Sequence, residues 1–561
     1  MTFMNFQTPG VYVKEIDEVA PARLSLSVAG FVGQAERGPL NCPQLITSWG
    51  QFSDIFGDFT GYSYLAYVVF GFFFNGGERC YVTRVAHETA KRAELTLYDD
   101  KGKKVIKLRS LDEGEWGNAV NISVEAGSAR FRIILRYQPG GRLLREEVFD
   151  DLSMFKSDER YFARVINGEP EEKDYLSRLR DGNSILIHVE DVRLDQSAAT
   201  PPPPEVLAEN MDHGADGPRN LPVKYYTGYD REGYFRPVQP SEKLFGLAGF
   251  EAVSEIGVVA IPDLIIPDFY AVIPEARIPK EGIVFAQIPV NVLKPDNLKT
   301  GQLDLLRHCE KTGDRFAILD SPRGSETGRG PYPIEGWPAQ LGFSQNLKYG
   351  ALYYPWLREK EADFGGRDLL IPPSGHLGGV YSRSERERGV GKAPANETLQ
   401  GVIDLEFCLT DAEQEILNPI GVNCLRVFAG RGLRVWGART LSRDPLWRYV
   451  NVRRVCLAII KQILVNLQWT VFEPNDRILR DKIVATLTLF FRDLFQSGAL
   501  AGTRAEEAFF VQCDEETNPS NVVDRGELIT RIGFAPARPA EFVLVTIKRL
   551  AESLSVSEQR L

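Results

Sequence analysis

Ile256-Gly257-Val258-Val259-Ala260-Ile261-Pro262-Asp263 is an apolar run closed by a turn, the pattern of a strand buried on both faces. Toward the C-terminus, Leu303 to Glu310 reads as a helix feeding a second such strand, Arg315-Phe316-Ala317-Ile318-Leu319-Asp320. Leu352-Tyr353-Tyr354-Pro355-Trp356 reads as a third. Strands and helices in alternation predict a mixed or partly parallel sheet covered by helices, an α/β fold with α+β mixed sheets.

Toward the N-terminus, a compact α/β unit precedes it. Strand Ala29-Gly30-Phe31-Val32-Gly33 leads through Arg37-Gly38-Pro39 to Ile46-Thr47-Ser48, where Ser48 is suited to cap a short helix through Phe52 and Ile55. An apolar helix from Tyr64 to Phe74 stops at Asn75-Gly76-Gly77, and Arg79 to Val85 is the next strand. Between Ala90 and about Gln239 charge is denser and apolar runs are short. Four prolines, Pro201 to Pro204, suggest a stiff linker, so this region is expected to be an inserted peripheral domain with a loop-rich exit.

Two helices dominate the C-terminal third. Asn451 to Gln468 carries apolar Val455, Ile459, Ile463 and Leu467, and Asn475 to Gln496 carries Leu479, Ile483, Leu487, Phe490 and Leu494. Away from that second face, Arg477, Asp481, Thr488 and Arg492 form a stripe that suits either a solvated side or a docking surface.

At 561 residues the chain is well above the ~250 to 300 at which single cores stop growing, so several domains are expected. A net charge of -10 provides no basic field, which argues against nucleic acid as a partner. The longest apolar stretch, Tyr64 to Phe74, is about half the ~20 residues a membrane helix needs. No charged-then-apolar signal segment opens the chain, so folding in the cytoplasm without membrane insertion is expected. Cys42, Cys80, Cys309, Cys408, Cys424, Cys456 and Cys513 are odd in number and lack a C-x-x-C pair, which suits reduced, mostly buried thiols rather than disulfides or zinc.

The search for catalytic chemistry finds little. Arg388-Gly389-Val390-Gly391-Lys392-Ala393 lacks the first glycine and the Ser/Thr of a phosphate loop, and Gly430 to Gly437 lacks dinucleotide-binding spacing. His308-Cys309-Glu310 are consecutive on a helix and diverge by about 100° each, which fits a surface or half-buried helix end. Pro373-Ser374-Gly375-His376 reads as a glycine- and proline-rich turn. No G-x-S-x-G or H-E-x-x-H is found. No enzyme activity, cofactor or metal is expected.

Both ends read as strands with no hairpin mate. Gly10-Val11-Tyr12-Val13-Lys14-Glu15-Ile16 is β-branched and aromatic, and Phe542-Val543-Leu544-Val545-Thr546-Ile547 is apolar on both faces. Such edges pair with each other, with the chain's own sheet, or with a neighbouring subunit, the last giving a polymer.

Ile371 to Tyr381, Arg388-Gly389, Lys392 to Glu397, Leu417 to Arg426, Trp436 to Thr440, Tyr449 to Arg454, Phe472 to Asn475 and Ala535 to Phe542 form an ordered set of motifs. The set resembles the contractile phage tail sheath family. Pro9 to Val13, Phe31-Val32-Gly33, Arg37-Gly38-Pro39 and Phe73 to Gly77 match as well, covering roughly residues 5 to 88 and 244 to 550. The resemblance implies a core built from both chain ends with insertions between. It divides the chain into an N-terminal strand-exchange arm (1–24), a first α/β part (25–90), the insertion (91–240), a middle α/β domain (241–370), a C-terminal core (371–540) and a C-terminal arm (541–561).

It further implies that Val11, Tyr12, Val13, Lys14, Glu15 and Ile16, with Glu541, Phe542, Val543, Leu544, Val545, Thr546 and Ile547, are exchanged between subunits. The product would be a helical tube of hexameric rings around an inner tube protein, ended by baseplate and terminal cap proteins, assembled in the bacterial cytoplasm as part of a phage virion or phage-tail-like injection particle. The helix from Asn475 would face the lumen and hold the inner tube through Arg477, Arg480, Lys482 and Arg492. A non-contractile surface or filament protein and an enzyme are the alternatives, the enzyme the less favoured.

Overall fold

The computed structural model describes residues 26–169, 174–193, 202–230, 236–237, 244–265, 295–323, 334–342, 344–360, 368–470, 473–541, 544–549 and 554–559. It opens with β1 (Ala29–Gly33), β2 (Gln44–Ile46), α1 (Trp49–Phe56), α2 (Leu65–Phe74) and β3 (Cys80–Arg84). Ser48 caps α1 by accepting from the Gln51 amide, and Asn75 ends α2. The insertion supplies β4 (Glu94–Tyr98), β5 (Lys104–Ser110), β6 (Val120–Ala126), β7 (Phe131–Tyr137), β8 (Arg145–Leu152), α3 (Phe162–Asn167), α4 (Tyr175–Asp181), β9 (Ile187–Asp191) and β10 (Val206–Asn210). After α5 (Val223–Thr227) and the short pair β11 (Tyr229–Asp230) and β12 (Arg236–Pro237) come β13 (Val258–Ala260), α6 (Pro295–Thr312), β14 (Phe316–Asp320), α7 (Trp337–Gln340) and β15 (Gly350–Tyr354).

The remainder comprises β16 (Leu357–Lys360), β17 (Asp368–Ile371), α8 (Ser374–Arg388), β18 (Asp404–Leu405), α9 (Asp411–Leu417), β19 (Val422–Phe428), β20 (Gly432–Val435), α10 (Val450–Asn466) and α11 (Arg477–Gln496). Strands β21 (Phe509–Gln512), β22 (Arg531–Phe534), β23 (Leu544–Arg549) and β24 (Leu554–Gln559) close it.

One eight-stranded sheet, in the order β2-β3-β1-β13-β14-β15-β19-β20, organises the body. Its interior pairings, from β3 through β1, β13, β14 and β15 to β19, are parallel, and antiparallel β2 and β20 border it. Every residue of β1, β13, β14 and β15 is buried, as the continuous apolar runs require. Phe316 and Asp320 of β14 meet α8, at Tyr381 and Ser374, while Leu319, of opposite parity, lies on the side where Leu306 of α6 packs. The two helices therefore cover opposite faces.

Ser374-Gly375-His376 opens α8 rather than forming the expected turn. Its glycines serve packing: a Cβ on Gly375 would stand 2.0 Å from the Val68 carbonyl oxygen and one on Gly379 2.4 Å from that of Phe72. Two glycines four residues apart bring α8 directly onto the backbone of α2.

The insertion folds into a three-stranded sheet, β4-β5-β9, and a four-stranded one, β10-β6-β7-β8, around an apolar cluster running from Ala93 to Met211. Its ends lie side by side at the Lys91–Ala215 bridge. Two expectations need correction. Pro202 to Pro204 lead into β10, which pairs with β6, so the proline run belongs inside this unit and not at its exit. Leu221, Val223, Tyr226 and Tyr229 pack in the main core, so the peripheral unit ends near Asp216 rather than at residue 240.

In the C-terminal part, Val455 and Ile459 of α10 share a cluster with Phe491 of α11, while Leu479, Ile483 and Leu487 form a second. Phe491, not Phe490, continues the buried i+4 series. A strict four-residue step stays under the covering elements, and Phe490 falls at the margin.

Candidate assembly site

The expected N-terminal arm, with Val11 to Ile16, lies outside the described residues, but the residue that would root it, Leu26, does not. Leu26 is fully buried, and both of its peptide groups are held by side chains. Its amide donates to Glu385 Oε1 at 3.0 Å, and its carbonyl accepts from Arg454 Nη2 at 3.4 Å. Arg454 also donates to Glu385 Oε2 at 2.6 Å, closing a ring of charge-assisted contacts around the backbone. Its guanidinium lies 4.8 Å above the Tyr381 ring, and the Tyr381 hydroxyl pairs with that of Tyr353 at 2.6 Å. Gly257 permits the approach, since a Cβ there would stand 2.3 Å from the Leu26 Cα.

At the other end, the Glu541 carboxylate is gripped by Arg439, with Nε to Oε1 at 2.7 Å and Nη2 to Oε2 at 2.5 Å. Asn418 Nδ2 (3.3 Å) and the Tyr449 hydroxyl (3.4 Å) also donate to it. Arg439 is itself fixed: its amide donates to Asn423 Oδ1 and its Nη1 to the Asn418 carbonyl. Just upstream, Asn451 Nδ2 donates to the Ala537 carbonyl at 3.0 Å. Glu541, expected in the exchanged strand, is thus seated on its own body.

Phe542 and Val543 lie outside the described residues. Leu544, Val545, Thr546 and Ile547 fall in β23, which pairs antiparallel with β24 from Leu544–Gln559 to Arg549–Leu554. The expectation that this strand has no hairpin mate is therefore corrected. Leu554-Ser555-Val556-Ser557 alternates apolar and polar residues, the pattern of a strand. A second two-stranded sheet, β21–β22, stands beside α11 with both outer edges unpaired among the described residues.

Of the four residues proposed to hold an inner tube, Arg477 and Arg492 are exposed, and Arg477 is 3.6 Å from Asp481. Arg480 turns back to Asn475 Oδ1 (3.1 Å), and Lys482 lies 4.2 Å over the Trp469 ring. The four do not converge. Ile478 (76% exposed) and Leu489 (64%) lie on the outer side of the same helix, and Leu464 is exposed on α10. Charge drew attention to α11, whereas a helical count of its apolar residues outside the buried face would have found Ile478 and Leu489.

The buried titratable groups serve the scaffold. Asp263 accepts from the Gln34 and Tyr64 amides and the Ser63 hydroxyl, joining the ends of β1 and β13 to the start of α2, and burial pushes its pKa up to about 6. Asp320 accepts from the Ser374 amide at the start of α8, and burial pushes it up to about 7. His308 is fully buried rather than at a half-buried helix end. It contacts the Tyr229 hydroxyl at 2.6 Å and accepts from Arg315, and burial, then the charge of Arg315, holds it well below the usual histidine range. Burial likewise lowers Lys461, which donates to the Ile256 carbonyl, to about 8. His376 Nε2 stands 2.9 Å from Glu359 Oε1, deep in the body. Cys42 and Cys408 are exposed, the other five cysteines buried, and all seven are free thiols. Among the described residues no three His, Cys, Asp or Glu side chains are grouped to hold a metal, and no helix is long and apolar enough to cross a membrane.

Residues 307–441 match the central domain of phage tail sheath proteins and residues 442–549 their C-terminal domain. Over residues 307–549 the chain matches the phage tail sheath family. It is 26% identical over 184 residues to the tail sheath protein of Vibrio phage KVP40, across 32% of this chain and 26% of that one. The chain spans 26% to 49% of the length of the first curated relatives it matches. The crystal structure of a sheath tail protein from Desulfitobacterium hafniense superposes with a TM-score of 0.53 at 12% identity, over 90% of this chain and 94% of that one. The PVC sheath complex of an extracellular contractile injection system, in its contracted state, gives 0.51 at 20% identity, over 98% and 99%. Both likenesses are of fold: the mixed α/β sheath architecture spans nearly the whole chain.

Proposed function

We propose that this sheath-family chain is the repeating subunit of a contractile sheath, a structural protein and not an enzyme. Its copies form hexameric rings stacked helically around an inner tube, between a baseplate and a terminal cap. Assembly takes place in the bacterial cytoplasm, and the product is part of a phage or phage-tail-like particle. The observation that carries this is the run of two sheath domains across residues 307–549, with the hairpin β23–β24 beyond the anchored Glu541.

Residues 11–16 and the β23 strand are the exchanged elements in this reading, and the unpaired edges of β21–β22 are their acceptor. A two-stranded sheet is marginal alone and gains from added strands. A head-to-tail contact that does not close on itself gives a filament. The sheath is assembled extended, in a kinetically trapped state, and shortening releases interface free energy without a nucleotide.

Negative-stain imaging of purified protein tests this, with long hollow tubes expected in extended or shortened form. A compact monomer at all concentrations would refute it, and tubes of one fixed pitch under every trigger would favour a passive filament. We place the insertion on the outside of the tube. Replacing residues 92–214, whose ends meet at the Lys91–Ala215 bridge, by a short Gly/Ser loop is expected to leave tubes intact.

A further inference from the structure

The residues that hold the two arm roots come together on one short piece of chain, Tyr449 to Arg454. Tyr449 donates to Glu541, Asn451 to the Ala537 carbonyl, and Arg454 to the Leu26 carbonyl and Glu385. At 1.5 Å per residue these span about 8 Å of helix axis. Residues more than 500 positions apart in sequence are therefore fastened to the same end of α10. Arg439 joins that end directly, through its bridge to Tyr449.

We propose that the start of α10 is a mechanical junction linking the two arms, so that a pull from one neighbour passes to the other without crossing the central sheet. This rests on the sheath reading only for what pulls on the arms. The two roots are held by different means. At Leu26 the grip is on the main chain, and the clamping pair is nearly dry, with Arg454 at 1% and Glu385 at 12% side-chain exposure. At Glu541 the grip is on the side chain, by the fork of Arg439. Removing one partner of either pair leaves a charge in a site that does not hydrate it, so each root should open locally.

The first two turns of α10 are buried without a break from Val450 to Leu457, so Asn451 and Arg454 reach the arm roots from a helix end that is itself embedded in the body.

Hydrogen exchange on the full chain, read by mass spectrometry, tests the proposal. Glu385→Gln is expected to speed exchange about tenfold in peptides that span Leu26 and to leave 535–541 at the wild-type rate; Glu541→Gln should do the reverse. Asn451→Ala combined with Arg454→Lys should loosen both roots while residues 258–260 and 316–320 keep their protection. If a glutamine variant does not fold, Arg439→Lys and Arg454→Lys, which keep the charge and lose the fork, replace it. Unchanged roots, or acceleration spread through the central strands, would overturn the junction. Tubes of either glutamine variant should fragment under a shear that wild-type tubes survive, and equal lengths would overturn its mechanical role. A wild-type chain that makes no tubes would strike down the sheath reading, and the exchange comparison would still decide the junction.

Discussion

The eight-stranded sheet and the two-stranded sheets near the C-terminus solve the same problem in opposite ways. In the first, β13, β14 and β15 are wholly buried between helices, and antiparallel β2 and β20 take the edge positions. In β21–β22 every strand is an edge, and only partial burial supports it. The contrast separates two duties. Burial in the central sheet holds the chain's body together, and in the proposed assembly the main-chain donors and acceptors at the C-terminal edges serve association.

The largest effect should come from removing residues 542–561. Tubes are expected to disappear entirely, while urea unfolding of the body shifts by less than about 0.5 kcal/mol. Tubes from the truncated chain would break the division of duties.

Next in size, Trp356→Ala strikes the central body. Trp356 is fully buried and its indole donates to the Ser321 carbonyl at 2.9 Å, so the loss should be about 3 to 5 kcal/mol in urea unfolding. The same truncation at half-buried Phe509 of β21 should cost less and affect tube formation more.

Smaller again is a dependence on pH. Asp320 and Asp263 have folded-state pKa values of about 7 and about 6, above the carboxylate value of an unfolded chain. Their contribution to stability is therefore fully present below about pH 4 and is lost as pH rises toward 7. His308, held low, works in the opposite sense near neutrality, so the test is a difference. Asp320→Asn should flatten the slope between pH 4.5 and 7 by roughly 2 to 4 kcal/mol relative to wild type, measured by denaturant unfolding at each pH. An unchanged slope would show that Asp320 is charged throughout.

The smallest effect concerns α11. Exposed ion pairs are worth ~0.2 to 1 kcal/mol each, so Arg477→Glu with Arg492→Glu should weaken co-purification with an inner tube protein detectably only at low salt. Full retention of the tube at every salt concentration would place this helix elsewhere.

Much of the central sheet was legible because a strand buried on both faces must be largely apolar, and Val258 to Ala260, Phe316 to Leu319 and the Tyr353 region are. Helix α1 was legible through its cap at Ser48. What failed had local ambiguity that packing resolved. Gly375 looks like a turn residue in isolation, but beside α2 only a residue without a Cβ fits. His308 on a helix gives no hint of burial until Tyr229 and Arg315 arrive from distant positions. Both arm roots escaped notice for the same reason: Arg439 and Glu541, like Arg454 and Glu385, are partners only in three dimensions.

The manner in which Leu26 is gripped has a consequence for grafting. Glu385 and Arg454 recognise peptide groups, which every residue but proline offers in full, so what the site demands of position 26 is an apolar side chain and an amide hydrogen. An arm of foreign sequence could be spliced on there with little penalty. At the opposite end no such freedom exists, because the Arg439 fork reads a carboxylate at the correct reach, and a transplanted C-terminal segment would have to bring its own glutamate.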